Sequence, residues 1–208
     1  MKSNFATRFC KVCFSEIRDN LLSDLLMKDR PICGRCLNKI KPHIETYEIG
    51  GLSFVSIYPY NEQIRNLLFL FKACGDIELA SIFLSLQAPV LRLYFHGFYL
   101  VPAPSFYTRE SKRGFSHVRE MFKVLKLPFV DCMKKTKDVK QADLDYEKRQ
   151  AIGNYLSIDS NIDLSGKKIL FVDDVVTSGA TALAAASLLK KRGAKKIKVL
   201  SMAHTHLS

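Results

Sequence analysis

The chain has 208 residues, of which 48% are hydrophobic and 25% charged, and its formal net charge is +12. This composition excludes wholesale disorder and is typical of a folded globular protein. The positive charge favours anionic partners such as nucleic acid, anionic membrane or phosphorylated small molecules, with a basic surface kept only for solubility as the alternative. The N-terminus lacks the apolar stretch of a secretory signal, and no run of about 18 apolar residues is present to cross a bilayer. We therefore expect a soluble cytoplasmic protein without a transmembrane segment.

Two Cys-x-x-Cys pairs open the chain, Cys10 with Cys13 and Cys33 with Cys36. Each pair lets two thiolates reach one ion, and two pairs supply the closed tetrahedral set of a structural zinc site. A segment this short has little core of its own, so metal binding would supply folding energy. Two disulfides or four unrelated thiols are the alternatives, although disulfides are rare in a reducing compartment. We expect a zinc-binding domain over residues 1–49 and a second domain over residues 50–208.

Strand and helix patterns alternate after the glycine pair Gly50-Gly51. Strands are predicted over residues 52–58, 98–101, 168–172 and 196–202. Helices are predicted over residues 62–72, 77–92 with a bend or stop near Pro89, 116–126, 143–151 and 180–192. Such alternation predicts an α/β fold with a mostly parallel sheet flanked by helices.

A double aspartate, Asp173-Asp174, directly follows the strand predicted over residues 168–172. Ligands of parallel sheets bind at the carboxyl ends of strands, where two carboxylates can accept hydrogen bonds from neighbouring sugar hydroxyls. The loop that follows is rich in small and hydroxyl residues, and backbone N–H groups at the start of the next helix favour phosphate. The segment therefore predicts a phosphorylated sugar, such as a ribose 5-phosphate, as ligand. A Ser/Thr helix cap after merely solvated acidic residues is the alternative.

The same segment resembles the 5-phosphoribosyl-1-pyrophosphate (PRPP) motif of type I phosphoribosyltransferases. The resemblance implies that Asp173 and Asp174 are the catalytic acidic pair, which holds the ribose hydroxyls. It also implies a magnesium ion that bridges ribose and pyrophosphate oxygens. The residues that the resemblance assigns to the 5-phosphate are Val176, Thr177, Ser178, Gly179, Ala180 and Thr181.

The combination of a four-cysteine knuckle with this domain is similar to the ComF/ComFC family of competence-associated proteins. Further motifs carry the resemblance, which extends from Cys10 to about Ala203: residues 101–104 and 112–115, Lys135-Thr136, Gln141, Arg149 and Asn154. It implies a PRPP-binding protein of natural transformation that handles incoming single-stranded DNA. Its partners would be other DNA-uptake proteins at the inner face of the membrane. A salvage phosphoribosyltransferase with an unnamed nucleobase acceptor, and a non-catalytic PRPP-responsive regulator, are the alternatives.

Basic residues in the middle of the chain are candidates for the pyrophosphate. Arg113, beside the flexible Gly114, is predicted to lie in a mobile flap over residues 105–116, with an ordinary solvated loop as the alternative. Lys72 is a candidate because a lysine-containing segment in related proteins approaches the pyrophosphate, although Ala73 stands here where that family has an aromatic residue. His117 is expected to be a surface or core residue more readily than a ligand contact. A second basic stretch contains Lys134, Lys135, Lys137 and Lys140.

Overall fold

The computed structural model describes residues 8–17, 31–136 and 155–205. Several predictions fall outside these ranges and are not assessed by it. They are the helix over residues 143–151 and the side chains of Lys137, Lys140, Gln141, Arg149 and Asn154.

The secondary structure alternates between strands and helices along the described chain. The helices are α1 Gly34–Lys39, α2 Glu62–Lys72, α3 Ala80–Leu84, α4 Ala88–Tyr94, α5 Tyr107–Arg113, α6 His117–Phe122 and α7 Ala180–Lys191, with 3-10 turns at Ile77–Leu79 and Lys123–Leu125. The strands are β1 Glu45–Ile49, β2 Leu52–Pro59, β3 Phe98–Pro102, β4 Met133–Lys135, β5 Leu156–Ile158, β6 Lys168–Val176 and β7 Lys196–His204.

A five-stranded sheet in the order β1-β2-β7-β6-β3 forms the centre of the fold. The pairs β2·β7, β7·β6 and β6·β3 are parallel, and only the edge strand β1 runs antiparallel, against β2. The carboxyl ends of four parallel strands therefore meet at one edge of the sheet. The strands β4 and β5 form a separate antiparallel pair.

The core lies on both faces of this sheet, as the near-continuous apolar runs of β6 and β7 require. Successive residues of β6 point to opposite faces. Leu170 and Val172 join one hydrophobic cluster with helices α2, α3, α4 and α6, whereas Ile169 and Phe171 join a second cluster with α7. The predicted mostly parallel sheet flanked by helices is therefore confirmed.

The structure corrects two sequence predictions. The helix expected over residues 77–92 is a 3-10 turn and two short helices, α3 and α4, and the expected break near Pro89 is a bend of 66° just before it. Strand β6 continues past Val172 through both aspartates to Val176. The segment over residues 105–116, predicted to be a mobile flap, contains the helix α5, and the flap itself stays a prediction.

The hairpin β1–β2 turns at Gly50-Gly51, where both glycines have positive φ angles of 57° and 76°. The expected division between residues 49 and 50 therefore falls in the turn of a hairpin whose two strands both belong to the central sheet. Within the part of the chain that the structure describes, no single helix is both long and apolar enough to span a bilayer. The segments Ile77–Leu84 and Ala88–Tyr94 satisfy that criterion only jointly, and they meet at a bend of 66°.

Candidate functional site

The loop after β6, residues 176–181, wraps around the N-terminal end of α7 and is called the phosphate loop below. Gly179 is the N-cap of α7, with a φ of 74° that suits glycine, and no side chain caps the helix. A Cβ at this position would lie 3.0 Å from Cδ1 of Ile49, so the backbone passes close to the edge strand. Because the first N–H groups of a helix have no partner within it, this end of α7 presents donors to an anion.

Asp173 lies with the phosphate loop around a small cavity that also includes Thr177, Ser178 and Thr181. Its Oδ1 accepts the backbone N–H of Asp174 at 2.8 Å. Loss of water around the carboxyl, together with the neighbouring Asp174 carboxylate, raises the pKa of Asp173 well above its ordinary range. Of the two aspartates, Asp173 is thus the one that keeps its proton to higher pH.

Asp174 projects towards the other face of β6, where it is buried to 7% relative exposure. Its Oδ2 forms an ion pair with Nζ of Lys72 and lies 3.3 Å from Nε2 of His117. Its Oδ1 accepts the backbone N–H of Val175 at 2.8 Å. Burial by itself raises the pKa of Asp174, but Lys72 and His117 outweigh it and hold that pKa well below the ordinary range.

Lys72 reaches Asp174 because of how α2 is built. Asn61 caps the helix by accepting the N–H of Ile64 at 3.0 Å, and the stripe from Ile64 to Phe71 is buried in the core. Lys72 is the last residue of the helix, where a cation interacts favourably with the helix dipole. The cap and the buried stripe hold α2 in place, so the helix directs the side chain of Lys72 towards Asp174.

Arg113 completes a ring of contacts that includes Asp174. Its Nε donates to the backbone oxygen of Lys72 at 2.9 Å, and its Nη1 lies 2.8 Å from Nδ1 of His117. Gly114, with a φ of 83°, ends α5 in the left-handed conformation and turns the chain towards α6. The ring of Lys72, Arg113, His117 and Asp174 is called the Asp174 network below.

His117 is the member of this network whose role the sequence does not reveal. It is the first residue of α6 and retains 6% relative exposure. Burial lowers its pKa, against the opposing influence of Asp174, so the imidazole is neutral near neutral pH. Of the two expected positions, surface or core, the structure shows the buried one, and it adds the contacts with Arg113 and Asp174.

A cleft of about 440 Å³ adjoins the network at the carboxyl end of β3. Ser105 connects the two, because it lines the cleft and its hydroxyl lies 3.3 Å from Nδ1 of His117. The cleft combines apolar, basic and acidic side chains with the aromatic ring of Tyr107. They include Pro102, Pro104, Tyr107, Glu110, Arg119, Asp131, Met133, Lys134 and Lys135.

The four N-terminal cysteines converge, with all four sulfur atoms within 4.8 Å of one another. Four thiolates bound tetrahedrally at about 2.3 Å from a zinc ion would lie about 3.8 Å apart. The Sγ atoms of Cys13 and Cys33 are 3.7 Å apart, which matches that spacing and exceeds the length of a disulfide bond, about 2 Å. Hydrogen bonds from Ser15 lower the pKa of the Cys13 thiol to about 6, which favours the thiolate that a metal binds. The donor set therefore fits a closed structural zinc site.

The cysteine knuckle, residues 8–17 and 31–40, packs against the rest of the molecule. Cys10, Ile32 and Ile40 belong to the same hydrophobic cluster as strand β2. Nζ of Lys11 binds Oε2 of Glu78 at 2.7 Å and Oγ of Ser81 at 3.2 Å. The knuckle therefore supports the side of the domain that carries α3 and α6.

Comparison with known proteins agrees with this geometry. The family model "Phosphoribosyl transferase domain" matches residues 111–206. Over 154 residues the chain is 29% identical to competence protein ComFC of Streptococcus pneumoniae, a match that covers 73% of this chain and 68% of that protein. The chain is thus similar to ComFC over most of its length, and it has a type I phosphoribosyltransferase fold.

Two further similarities of the chain are more limited. A stretch of 39 residues is 51% identical to ribose-phosphate pyrophosphokinase of Thermococcus kodakarensis, covering 19% of this chain and 14% of that protein. Adenine phosphoribosyltransferase of Saccharomyces cerevisiae superimposes with a TM-score of 0.43 and 15% identity, covering 82% of this chain and 89% of the other.

Proposed function

We propose that the protein binds PRPP at the edge of the sheet where β6 ends. The observation that carries this proposal is the convergence of the acidic pair, the phosphate loop and two cations, Lys72 and Arg113, which come from separate helices. The phosphate loop, residues 176–181, would hold the 5-phosphate through backbone N–H groups and hydroxyls. Asp173 and Asp174 would accept the ribose hydroxyls.

Lys72 and Arg113 would bind the pyrophosphate, where their charges match those of the phosphate oxygens. When bound, a magnesium ion would neutralise pyrophosphate charge. If the protein transfers the phosphoribosyl group, negative charge would develop on the leaving pyrophosphate, and these cations would stabilise it. The residues that the chain supplies therefore suit the donor half of such a reaction.

Calorimetric titration with PRPP and magnesium tests this assignment. Asp173→Ala combined with Asp174→Ala should abolish measurable binding. A control, Asp163→Ala, removes a carboxylate from the turn that hydrogen-bonds to Arg192 after the C-terminus of α7, at the opposite end of the sheet, and should leave the affinity unchanged. Unchanged affinity in the first variant would show that the site is wrongly assigned.

We propose that the cysteine knuckle holds one structural zinc ion through Cys10, Cys13, Cys33 and Cys36. The convergence of four sulfurs within 4.8 Å of one another, with those of Cys13 and Cys33 3.7 Å apart, supports it. Elemental analysis of the purified protein should give about one zinc per chain. Cys13→Ser with Cys36→Ser should remove that zinc, whereas Cys74→Ser should retain it, because Cys74 lies outside the knuckle. Zinc retained in full by the double variant would refute the proposed ligand set.

We propose that the protein acts in natural transformation, in the cytoplasm at the inner face of the membrane, where it handles incoming single-stranded DNA with other DNA-uptake proteins. The similarity to ComFC, the net charge of +12, and Tyr107, Lys134 and Lys135 in the β3 cleft support this role, in a cleft that also contains Glu110 and Asp131. Single-stranded nucleic acid is held by such surfaces, since bases stack on aromatic rings and lysines bind phosphates.

Fluorescence anisotropy with labelled single-stranded DNA, measured over a range of salt concentrations, tests DNA handling. Lys134→Glu with Lys135→Glu should weaken binding and reduce the salt slope by about 1.4, or about 0.7 for each lost phosphate contact. Lys190→Glu with Lys191→Glu makes the same charge change at the far end of α7 and should change the slope little. If wild-type protein fails to bind DNA even at low salt, direct handling of DNA is excluded.

A salvage phosphoribosyltransferase is the second candidate function. The β3 cleft favours it, because about 440 Å³ lies within the usual size range of small-ligand sites and the cleft adjoins the Asp174 network. Release of pyrophosphate from PRPP in the presence of one of a panel of nucleobases would establish this activity. Binding of PRPP without any product would instead support a non-catalytic regulator.

A further inference from the structure

His117 is a buried imidazole whose two ring nitrogens face different elements of the fold. Nδ1 lies 2.8 Å from Nη1 of Arg113, at the end of α5, and Nε2 lies 3.3 Å from Oδ2 of Asp174, in β6. The hydroxyl of Ser105 lies 3.3 Å from the same Nδ1. The third charged group near the imidazole is the ammonium of Lys72, at the end of α2. Lys72 and His117 contact the same oxygen of Asp174, Oδ2. His117 therefore joins the segment that carries Arg113 to the acidic pair.

The chemistry of these partners fixes the tautomer of His117. A guanidinium group has only donors, so Nδ1 must be the unprotonated nitrogen that accepts from Arg113. The proton of the neutral ring is then on Nε2, where it is donated to the carboxylate of Asp174. The neutral imidazole therefore accepts a hydrogen bond from Arg113 and donates one to Asp174, and it adds no charge to the network.

We propose that His117 is a positioning residue that couples the placement of Arg113 to the orientation of the Asp174 carboxylate. Among the residues that the structure describes, Lys72 and His117 are the two side-chain donors to Oδ2 of Asp174. A bound pyrophosphate competes with Asp174 for the ammonium of Lys72. His117 then keeps the carboxylate directed towards the ribose hydroxyls after Lys72 has turned to the ligand. This role rests on the proposed PRPP site.

The neutrality of His117 matters for this exchange. A second cation in its place would remain paired with Asp174 and compete with the ribose hydroxyls for its oxygens. A neutral Nε2–H holds one carboxylate oxygen and leaves the negative charge available to the ligand. Arg113 contributes in turn, because its bond to the backbone of Lys72 ties the two cations together.

The tautomer is tested directly on the wild-type protein by the nitrogen chemical shifts of its histidine rings. The signal of His117 is identified by its absence in His117→Gln. Near neutral pH the expected pattern is a protonated Nε2 and an unprotonated Nδ1. A ring protonated on Nδ1, or on both nitrogens, overturns the proposal whatever the affinity of the protein for PRPP.

Two substitutions test the coupling. His117→Gln keeps an acceptor for Arg113 and a donor for Asp174, whereas His117→Leu fills much of the space but offers neither. The glutamine variant should bind ribose 5-phosphate within about threefold of wild type, and the leucine variant about tenfold more weakly. Binding of pyrophosphate with magnesium should change less than binding of ribose 5-phosphate, because His117 orients the carboxylate for the ribose.

The outcomes separate this inference from the proposed function. If wild-type protein binds neither PRPP nor ribose 5-phosphate, the proposed site fails, while the tautomer measurement still decides the polarity of the network. If PRPP binds but the glutamine and leucine variants are equally weak, or both equal wild type, the positioning role is refuted. Thermal melting of each variant shows whether it is folded, and His117→Met replaces the leucine variant if that protein does not fold.

Discussion

The phosphate loop and the Asp174 network, the two halves of the proposed PRPP site, differ in how they would bind an anionic ligand. The loop uses backbone geometry, because Gly179 holds a left-handed conformation and the N-terminal end of α7 is capped by no side chain. The network uses side chains, and its carboxylate is already occupied by Lys72 and His117. The loop thus presents backbone donors without rearrangement. In the network, Lys72 would have to release Asp174 before it could bind a ligand.

This difference suggests a division of work within one site. Backbone donors are rigid and suit the part of the ligand that stays fixed, which in PRPP is the 5-phosphate. Side-chain ion pairs can exchange, and they suit the pyrophosphate and the reacting centre, where charge changes. The two aspartates follow the same division, because Asp173 lines the loop cavity and Asp174 belongs to the network.

The largest effect is expected from Gly179→Ala in the phosphate loop. The substitution forces alanine to a φ of 74° and places its Cβ 3.0 Å from Ile49. We expect urea unfolding to show a loss of about 2 to 3 kcal/mol, from left-handed strain plus a displaced neighbour, and ribose 5-phosphate to bind at least about tenfold more weakly.

Gly51→Ala is the matched control for this change. Gly51 has a similar φ of 76°, but its Cβ would meet nothing within 4 Å. It should therefore lose only the strain, about 1 kcal/mol, and keep its affinity for ribose 5-phosphate. Equal losses of stability in the two variants would mean that the contact with Ile49 is unimportant and that the loop is less rigid than its geometry indicates.

Asp174→Asn should have the next largest effect and should act through the network. It removes the charge that Lys72 and His117 face, and a loss of about 1 to 2 kcal/mol is expected. The loss is smaller than for a fully buried ion pair because the side chain of Lys72 retains 34% exposure to solvent. Chemical denaturation near neutral pH measures it, and a variant as stable as wild type would show that the network is not held by its charges.

Asp173→Asn should instead stabilise the protein, because the folded protein raises the pKa of Asp173 above its unfolded value. Ionising this carboxyl therefore opposes folding, and the variant should be about 0.5 to 1 kcal/mol more stable than wild type near neutral pH. The stabilisation should shrink as the pH falls and vanish near pH 4, about the ordinary pKa of aspartate. Urea unfolding over this range provides the measurement, and a gain that increases in acid would contradict the assignment.

The sequence predicts the secondary structure around the phosphate loop well because every part of this segment is contiguous. A strand, two aspartates, a run of small residues and a helix are read directly from residues 168–192, and α7 begins at the predicted residue, Ala180. The helix α2 also has its predicted limits, since its apolar stripe and Asn61 cap are local features. Local patterns therefore locate the loop without knowledge of the fold.

The Asp174 network is harder to predict because its four members come from three helices and one strand. Lys72 and Arg113 are named as candidates from the sequence, but nothing local indicates that they share a partner 102 residues away from Lys72. His117 is missed because its role depends on the turn at Gly114, which brings α6 against β6. Neither a lysine at the end of a predicted helix nor a single histidine indicates such a tertiary contact in the sequence.

The smallest effect on stability is expected from Thr177→Ala, which tests whether the loop binds by backbone or by side chain. Thr177 is exposed in the loop, and its hydroxyl would contribute one hydrogen bond to the phosphate. A hydrogen bond to a charged group is worth about 1.5 kcal/mol at the lower end, which suits an exposed loop, so PRPP affinity should fall about tenfold while stability is unchanged. Isothermal titration calorimetry separates this result from a complete loss of binding. A complete loss would mean that the hydroxyl, and not the rigid backbone, provides most of the phosphate affinity, and the contrast between loop and network would have to be abandoned.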